Sequence, residues 1–213
     1  MKARKRVGII AGGGHGRNVR ELVVLQEDME PVGFYDDDPN KWGQTIDGTP
    51  VLGPVGELSS GKRPVDGLVI AIGFDNRRRA AVFDEMRGLG YEMVSVIHPH
   101  ATISASATHG IGLVAFAGTV MNAGARIGED VLIGSGVIVD HDCRIGNHCC
   151  IFVGAVLGGG VQVGPFALIG QSAAIGKYLS IGEGAVIGDG VVIRHDIEDG
   201  ATIPSEDKGP DSS

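Results

Sequence analysis

Positive charge is in short supply here: 18 Lys and Arg stand against 26 Asp and Glu, a formal net charge of −8. A protein that binds a phosphate backbone needs a basic face to release counterions, so RNA and DNA are not expected partners. Long apolar runs are missing as well. The basic opening MKARKR leads into VGIIAGGG, whose glycines interrupt the apolar segment, so it reads as a strand rather than a signal peptide or membrane span. Cysteine is rare, and Cys143, Cys149 and Cys150 are crowded together and odd in number. That suits a reducing cytoplasm better than a disulfide framework, and a cytoplasmic location is expected. Only nine prolines accompany 36 glycines, and the glycines do not fall at every third position, so collagen-like and low-complexity readings fail.

Glycine is instead concentrated in a regular pattern. An aliphatic residue recurs every six positions through Ile127, Ile133, Val139, Ile145, Ile151, Leu157, Val163, Ile169, Ile175, Ile181, Ile187 and Ile193. The frame extends back through Met121 and Ala115 to Ile103 and Ile97, and His109 is its one break. The next position is usually Gly, and the fifth of each hexad is small or apolar, as in Ala125, Val137 and Ala155. A helix repeats near 3.6 and a simple strand at 2, whereas six residues make one short strand and a glycine-eased corner. Three such sides close a triangular coil in which residues roughly eighteen apart stack, with two residues of each hexad pointing into a continuous core.

Ahead of the coil, residues 7–11 form an apolar β-branched run that meets the loop Gly12, Gly13, Gly14, His15, Gly16, Arg17, after which residues 18–29 carry helical spacing. Backbone N–H groups of a glycine loop at a helix start suit an anion such as phosphate. The strict dinucleotide fingerprint is absent, because Arg17 stands where its third glycine would be, so no dinucleotide cofactor is implied. A second strand, 31–35, ends in Asp36, Asp37 and Asp38, placed where such folds put a ribose- or base-binding acid; a solvated acidic turn is the other reading. Further elements are expected at 65–72 (strand, ending at Gly73), 76–87 (helix) and 91–97 (strand). The organisation is therefore a small Rossmann-like β-α-β nucleotide-binding domain at 1–96, an all-β coil at 97–198 and a loose tail at 199–213.

Departures from the hexad mark the chemistry. In VDHDCR the usual corner glycine gives way to Asp140, followed by His141 and Asp142. An imidazole projecting at an edge can take a proton from an attacking amine or hydroxyl, and Asp142 or Asp140 could fix its tautomer and raise its basicity. Cys143 and Cys149 fall in the inward fifth position as core filler. Cys150 falls on the following, outward position, and a covalent route through its thiol is the less favoured alternative. His148 stands at another corner, as a ligand contact or simply solvated. His141 and His148 are seven apart with no third histidine beside them, so no metal site is expected.

The motifs IIAGGGHGR, FYDDD, AIGFDNRRR and VIVDHDCRIGNHCCIFVGAVLGGGVQVG together resemble the sugar O- and N-acetyltransferases of the sialic-acid acetyltransferase type, which include bacterial nucleotide-sugar 4-amino N-acetyltransferases. The resemblance implies a left-handed parallel β-helix of hexapeptide repeats, acetyl-CoA as co-substrate, and a homotrimer with active sites between subunits. It implies His141 as catalytic base tuned by Asp142, and Gly13, Gly14, His15, Asp36, Asp37 and Gly73 as nucleotide-sugar contacts. Coenzyme contacts carry over to Cys150, Gln171 and Asp189. Relatives often hold the thioester carbonyl with a His where this chain has Cys150, which leaves a backbone N–H as the oxyanion donor. The acceptor implied is the 4-amino group of a nucleotide-linked 4-amino-4,6-dideoxy sugar, nearest GDP-perosamine. UDP-linked amino sugars, O-acetylation of a sialic acid and a non-catalytic nucleotide-sugar scaffold stand as alternatives.

Overall fold

The computed structural model describes residues 3–205, which form two compact units. One runs to Pro99 and includes Ile111–Val114; the other comprises His100–Gly110 and the chain from Ala115 onward. Among the described residues no helix is long and apolar enough to cross a membrane.

The first unit is an α/β layer. Its elements are β1 (Lys5–Ile10), α1 (Gly14–Val24), β2 (Met29–Tyr35), β3 (Thr45–Ile46), β4 (Thr49–Gly53), β5 (Gly67–Ile70), α2 (Asn76–Gly88) and β6 (Glu92–Met93). The sheet order is β3-β4-β2-β1-β5-β6, parallel throughout except for the β3–β4 pair. Strand β1 is central, and Val7, Ile9 and Ile10 are fully buried, which is why its sequence is an unbroken apolar run rather than an alternation. The chain leaves β1 toward β2 on one side and reaches β5 on the other, so a crevice opens beyond the carboxyl end of β1, where parallel sheets bind ligands.

Two local expectations shift. Helix α1 starts inside the glycine loop at Gly14 and ends at Val24, instead of spanning 18–29. Close approach is the cause: a Cβ on Gly16 would collide with the Ala11 carbonyl oxygen, so Gly16 lets the helix lie against the end of β1. The stretch between β2 and β5, where the sequence marks no element, contains the β3–β4 hairpin, turned by Asp47 and Gly48 with φ of 46° and 79°. Both residues in the left-handed region is the signature of the tight Asp-Gly hairpin turn.

The second unit is the left-handed parallel β-helix. Two-residue strands form three faces. The first face holds Val120–Met121, Ile138–Val139, Val156–Leu157, Ala174–Ile175 and Val192–Ile193. The second holds Arg126–Ile127, Arg144–Ile145, Gln162–Val163 and Ser180–Ile181. The third holds Leu132–Ile133, Cys150–Ile151, Leu168–Ile169, Val186–Ile187 and Thr202–Ile203. Each face is parallel, and backbone groups of one coil bond the next, as in Arg126 N to Cys143 O (2.8 Å) and Arg144 N to Val161 O (2.9 Å). Polar backbone is thereby satisfied along the stack, and the aliphatic frame residues with Ala125, Cys143, Cys149, Ala155 and Ala167 fill a buried core.

The frame break at His109 is paired with Ile127 but exposed, so no charge is buried there. The coil also outlasts the expected border at 198: Thr202–Ile203 pairs with Val186–Ile187, so part of the presumed tail is the last rung of the third face. The preceding corner is shortened, since Ile181 bridges Ile197, sixteen positions on. The remainder of the expected tail, 206–213, lies outside the described residues.

Ile133 is fully buried in this stack, so Ile133→Ala should lower stability in urea unfolding by about 2–5 kcal/mol. Gln162→Ala, on an exposed outward position, should stay within about 0.5 kcal/mol of the parent.

Candidate active site

The edge between the first and second faces carries His141. In successive coils its third hexad position is Ala123, His141, Gly159 and Lys177, and its fourth is Gly124, Asp142, Gly160 and Tyr178. Backbone bonds confirm the stack: Gly160 N donates to His141 O (2.8 Å) and Tyr178 N to Gly159 O (2.9 Å). The fourth position is left-handed, with φ of 71° at Gly124, 58° at Asp142 and 60° at Tyr178. A non-glycine residue there is strained by about 1–2 kcal/mol, and at Asp142 that backbone goes with a carboxylate aimed back at the neighbouring ring.

His141 Nδ1 lies 3.0 Å from Asp142 Oδ2, which leaves Nε2 as the nitrogen available to a substrate. The hydrogen bond that His141 donates to the Asp142 carboxylate raises the His141 pKa above the ordinary imidazole value against the opposing effect of desolvation, and the charges of Asp140 and Asp142 add to it. Both side chains are open to solvent, at 49% and 73% exposure. Asp140, the other candidate partner, is engaged elsewhere. Its Oδ1 accepts from Asn122 Nδ2 (2.8 Å) and from the His141 N–H (2.7 Å), and the Gly159 N–H also points to it. These donors, Asn122 first, lower its pKa. Asp140 therefore pins the corner, and Asp142 orients the ring.

Farther along the same edge stand Lys177, its ammonium 6.0 Å from the Tyr178 ring, and then Arg194 and His195, all exposed. Nothing in the hexad pattern marked these residues; only stacking places them in line with His141.

The other coil residues separate from that edge. Cys150 is fully buried, contrary to the outward, accessible thiol expected. Its ladder neighbours are Leu132 and Leu168, so it is a small apolar member of the third face, and the covalent alternative loses its accessible nucleophile. Gln171 and Asp189 are exposed and joined by a hydrogen bond from Gln171 N to Asp189 Oδ1 (2.7 Å), but they occupy the corner between the third and first faces. His148 is neither solvated nor open: its Nδ1 is 2.9 Å from Asp130 Oδ2, with side-chain exposures of 11% and 4%, and its ring stacks on Phe166 at 4.9 Å. Among the described residues no three His, Cys, Asp or Glu side chains converge as metal ligands would.

In the first unit, a cavity of about 420 Å³ opens at the end of β1, lined in part by Gly13, Tyr35, Asp36, Asp37, Lys41 and Arg78. Asp36 is almost buried and saturated, accepting from Gly12 N (2.7 Å), Asp38 N (2.9 Å) and Lys41 Nζ (2.8 Å). Burial opposes its charge, but these donors outweigh that and hold its pKa below the ordinary carboxylate value. Asp36 thus ties the glycine loop to the end of β2. Asp37 is more open, with Val55 N at 3.0 Å and Arg78 Nη2 at 3.3 Å. His15 packs beside Gly73, as the two motifs require if they form one site. Burial, and then the charge of Arg79, push His15 down to about 4, so it is a neutral imidazole at physiological pH. Gly14 starts α1 behind the Gly13 cap.

Residues 6–86 match the PglD N-terminal domain family, and residues 124–159 match the six-repeat bacterial transferase hexapeptide family. The chain is 32% identical to the acetyltransferase domain of PglB from Neisseria gonorrhoeae, solved in complex with acetyl coenzyme A, over 95% of this chain and 97% of that one, with a TM-score of 0.87. It is 33% identical to a histidine-to-alanine mutant of GDP-perosamine N-acetyltransferase from Caulobacter crescentus, solved with CoA and GDP-perosamine, over 93% of each chain with a TM-score of 0.87. UDP-N-acetylbacillosamine N-acetyltransferase of Bacillus subtilis is 31% identical over 116 residues, 53% of this chain and 52% of that relative, about half its length. With each unit matched separately and the likeness to solved acetyltransferases running nearly end to end, the chain belongs to the nucleotide-sugar N-acetyltransferases built on hexapeptide repeats, and is an acyltransferase.

Proposed function

We propose that this protein transfers the acetyl group of acetyl-CoA to the 4-amino group of a nucleotide-linked 4-amino-4,6-dideoxy sugar, with GDP-perosamine the favoured acceptor. The observation that carries the reading is the His141–Asp142 pair, a histidine held by a carboxylate on an exposed edge of the coil. His141 Nε2 takes a proton as the amine nitrogen forms its bond to the thioester carbonyl carbon. Asp142 stabilises the imidazolium. As the tetrahedral intermediate collapses and the carbon–sulfur bond breaks, His141 returns the proton to the departing thiolate, leaving the amide and free CoA. A backbone N–H holds the oxyanion, as expected for acyl transfer. The N–H groups of Gly159 and Gly160 are already given to Asp140 and His141 O, so that donor lies elsewhere.

Nucleotide binding belongs to the crevice of the first unit, with Gly13, Gly14, His15 and Gly73 near the phosphates and sugar and Asp37 facing the base. A carboxylate accepts both N1–H and N2–H of guanine but finds only one such donor on uracil, and this supports GDP over UDP. The solved relative bound to GDP-perosamine supports the same choice, while the relative named for a UDP-sugar supports the other.

The active form we propose is a homotrimer with sites between subunits. Two kinds of outward face support it: the second face presents Arg126, Arg144, Gln162 and Ser180, whereas the first presents Ile138, Val156 and Val192 at 37%, 39% and 52% exposure. An apolar stripe left in water is a contact surface. Gln171 and Asp189, on a different edge from His141 in one subunit, fit a coenzyme site completed by a neighbour.

His141→Asn should reduce kcat by about 10²–10⁴-fold in a CoA-release assay; unchanged turnover would remove the base assignment. His141 works as the neutral imidazole and its pKa is raised, so the rate should fall as pH drops through a value above about 6.5. Asp142→Asn should move that acidic limb to lower pH while lowering kcat. Titration calorimetry should find GDP bound more tightly than UDP, and Asp37→Asn should weaken GDP by about tenfold or more, the value of one charge-assisted hydrogen bond; equal affinities would reverse the base preference. Val156→Glu should dissociate the assembly in sedimentation and abolish activity together, and a fully active monomer would refute the trimer.

A further inference from the structure

The run Gly158, Gly159, Gly160 is only partly explained by the coil. Gly158 takes the second hexad position, where glycine is the rule, and Gly160 sits at the left-handed fourth position with φ of 72°. Gly159 has neither reason. Its φ is not in the left-handed region, and the same corner position in neighbouring coils holds Ala123, His141 and Lys177, so the turn accepts a side chain there. What a side chain at 159 would meet is the catalytic ring. The three atoms nearest to a Cβ built on Gly159 are His141 Nε2, Cε1 and Cδ2, all closer than 3.0 Å, and Gly159 is itself buried.

We infer that Gly159 is a positioning residue: the bare backbone of the following coil is the seat on which the His141 imidazole rests, and it holds the ring in the rotamer that meets Asp142. An imidazole half-exposed at an edge otherwise samples several staggered rotamers. Lying on Gly159, with Asp142 against Nδ1, it is limited from below and from the side. A methyl group at 159 cannot coexist with that placement. The ring is the movable partner, since it is the exposed end of a side chain rather than a strand of backbone, so the substitution displaces the ring and spares the coil. This inference rests on the proposed role of His141 as base, but the placement itself can be measured without reference to activity.

The test is Gly159→Ala in the full-length protein. The expected result is a kcat lower by about ten- to a hundredfold, the scale for a reacting group misplaced by an ångström, with KM for both substrates changed by no more than about twofold. The His141 ring resonances, followed by NMR through a pH titration, should show its pKa falling back toward the ordinary imidazole value as the Asp142 contact opens, while the thermal unfolding midpoint stays in place. His141 resonances and titration identical to the parent would overturn the inference whatever the rate does. A displaced titration with an unchanged rate would uphold the seating and instead remove His141 as the base. If Gly159→Ala unfolds, the His141→Ala/Gly159→Ala double variant decides: with no ring for the methyl to meet, it must be as stable as His141→Ala alone, and a less stable double variant overturns the inference.

Discussion

Each coil is hydrogen-bonded, almost atom for atom, to the coil that follows it, and this constraint determines the rest of the second unit. The bonds from Arg126 N to Cys143 O and from Arg144 N to Val161 O are two of a continuous series. They leave no freedom in which residue becomes a neighbour of which. Inside, the constraint stacks aliphatic on aliphatic, so a single hexad frame is enough to build a core. Outside, it makes columns, and a column of unlike residues becomes a site. Asn122 and Asp140 are joined because they lie in one such column, and so are Gly124 with Asp142 and His141 with Gly159.

Much of this was legible in the sequence because the signal is periodic. Twelve hexads in one frame leave little choice of fold, and a break such as His141 between two acids stands out against them. What was not legible depends on three-dimensional partners with no periodic trace. Asp36 and Asp37 are adjacent and look alike in sequence, yet one is saturated by Gly12, Asp38 and Lys41 while the other retains an open face. Cys150 occupies an outward register, and register alone does not say that its surroundings on the third face are apolar and covered. The start of α1 was misplaced because glycine is a poor helix former in isolation; at Gly16 contact with Ala11 decides the matter.

The two acids beside His141 show how position separates roles that chemistry alone does not. Asp140 and Asp142 flank the same residue, but the second hexad position directs Asp140 into corner hydrogen bonds and the left-handed fourth position directs Asp142 toward the ring. Backbone strain at Asp142 is tolerated because the coils above and below, carrying Gly124 and Gly160 in that conformation, hold the corner in shape. A rigid repeat can therefore carry a non-glycine residue in this conformation at low risk to the fold, as it does again at Phe166, Ser172 and Tyr178.

Stacking has one more effect on the edge that bears His141. Neighbouring strands of a sheet lie about 4.8 Å apart, so Lys177 is about 10 Å and Arg194 about 14 Å along that edge from the imidazole. The edge is in effect a graduated ruler, with a chemical group at one end and a cation at fixed marks. Adding or deleting a whole coil would move the marks by one division while leaving the core between them intact.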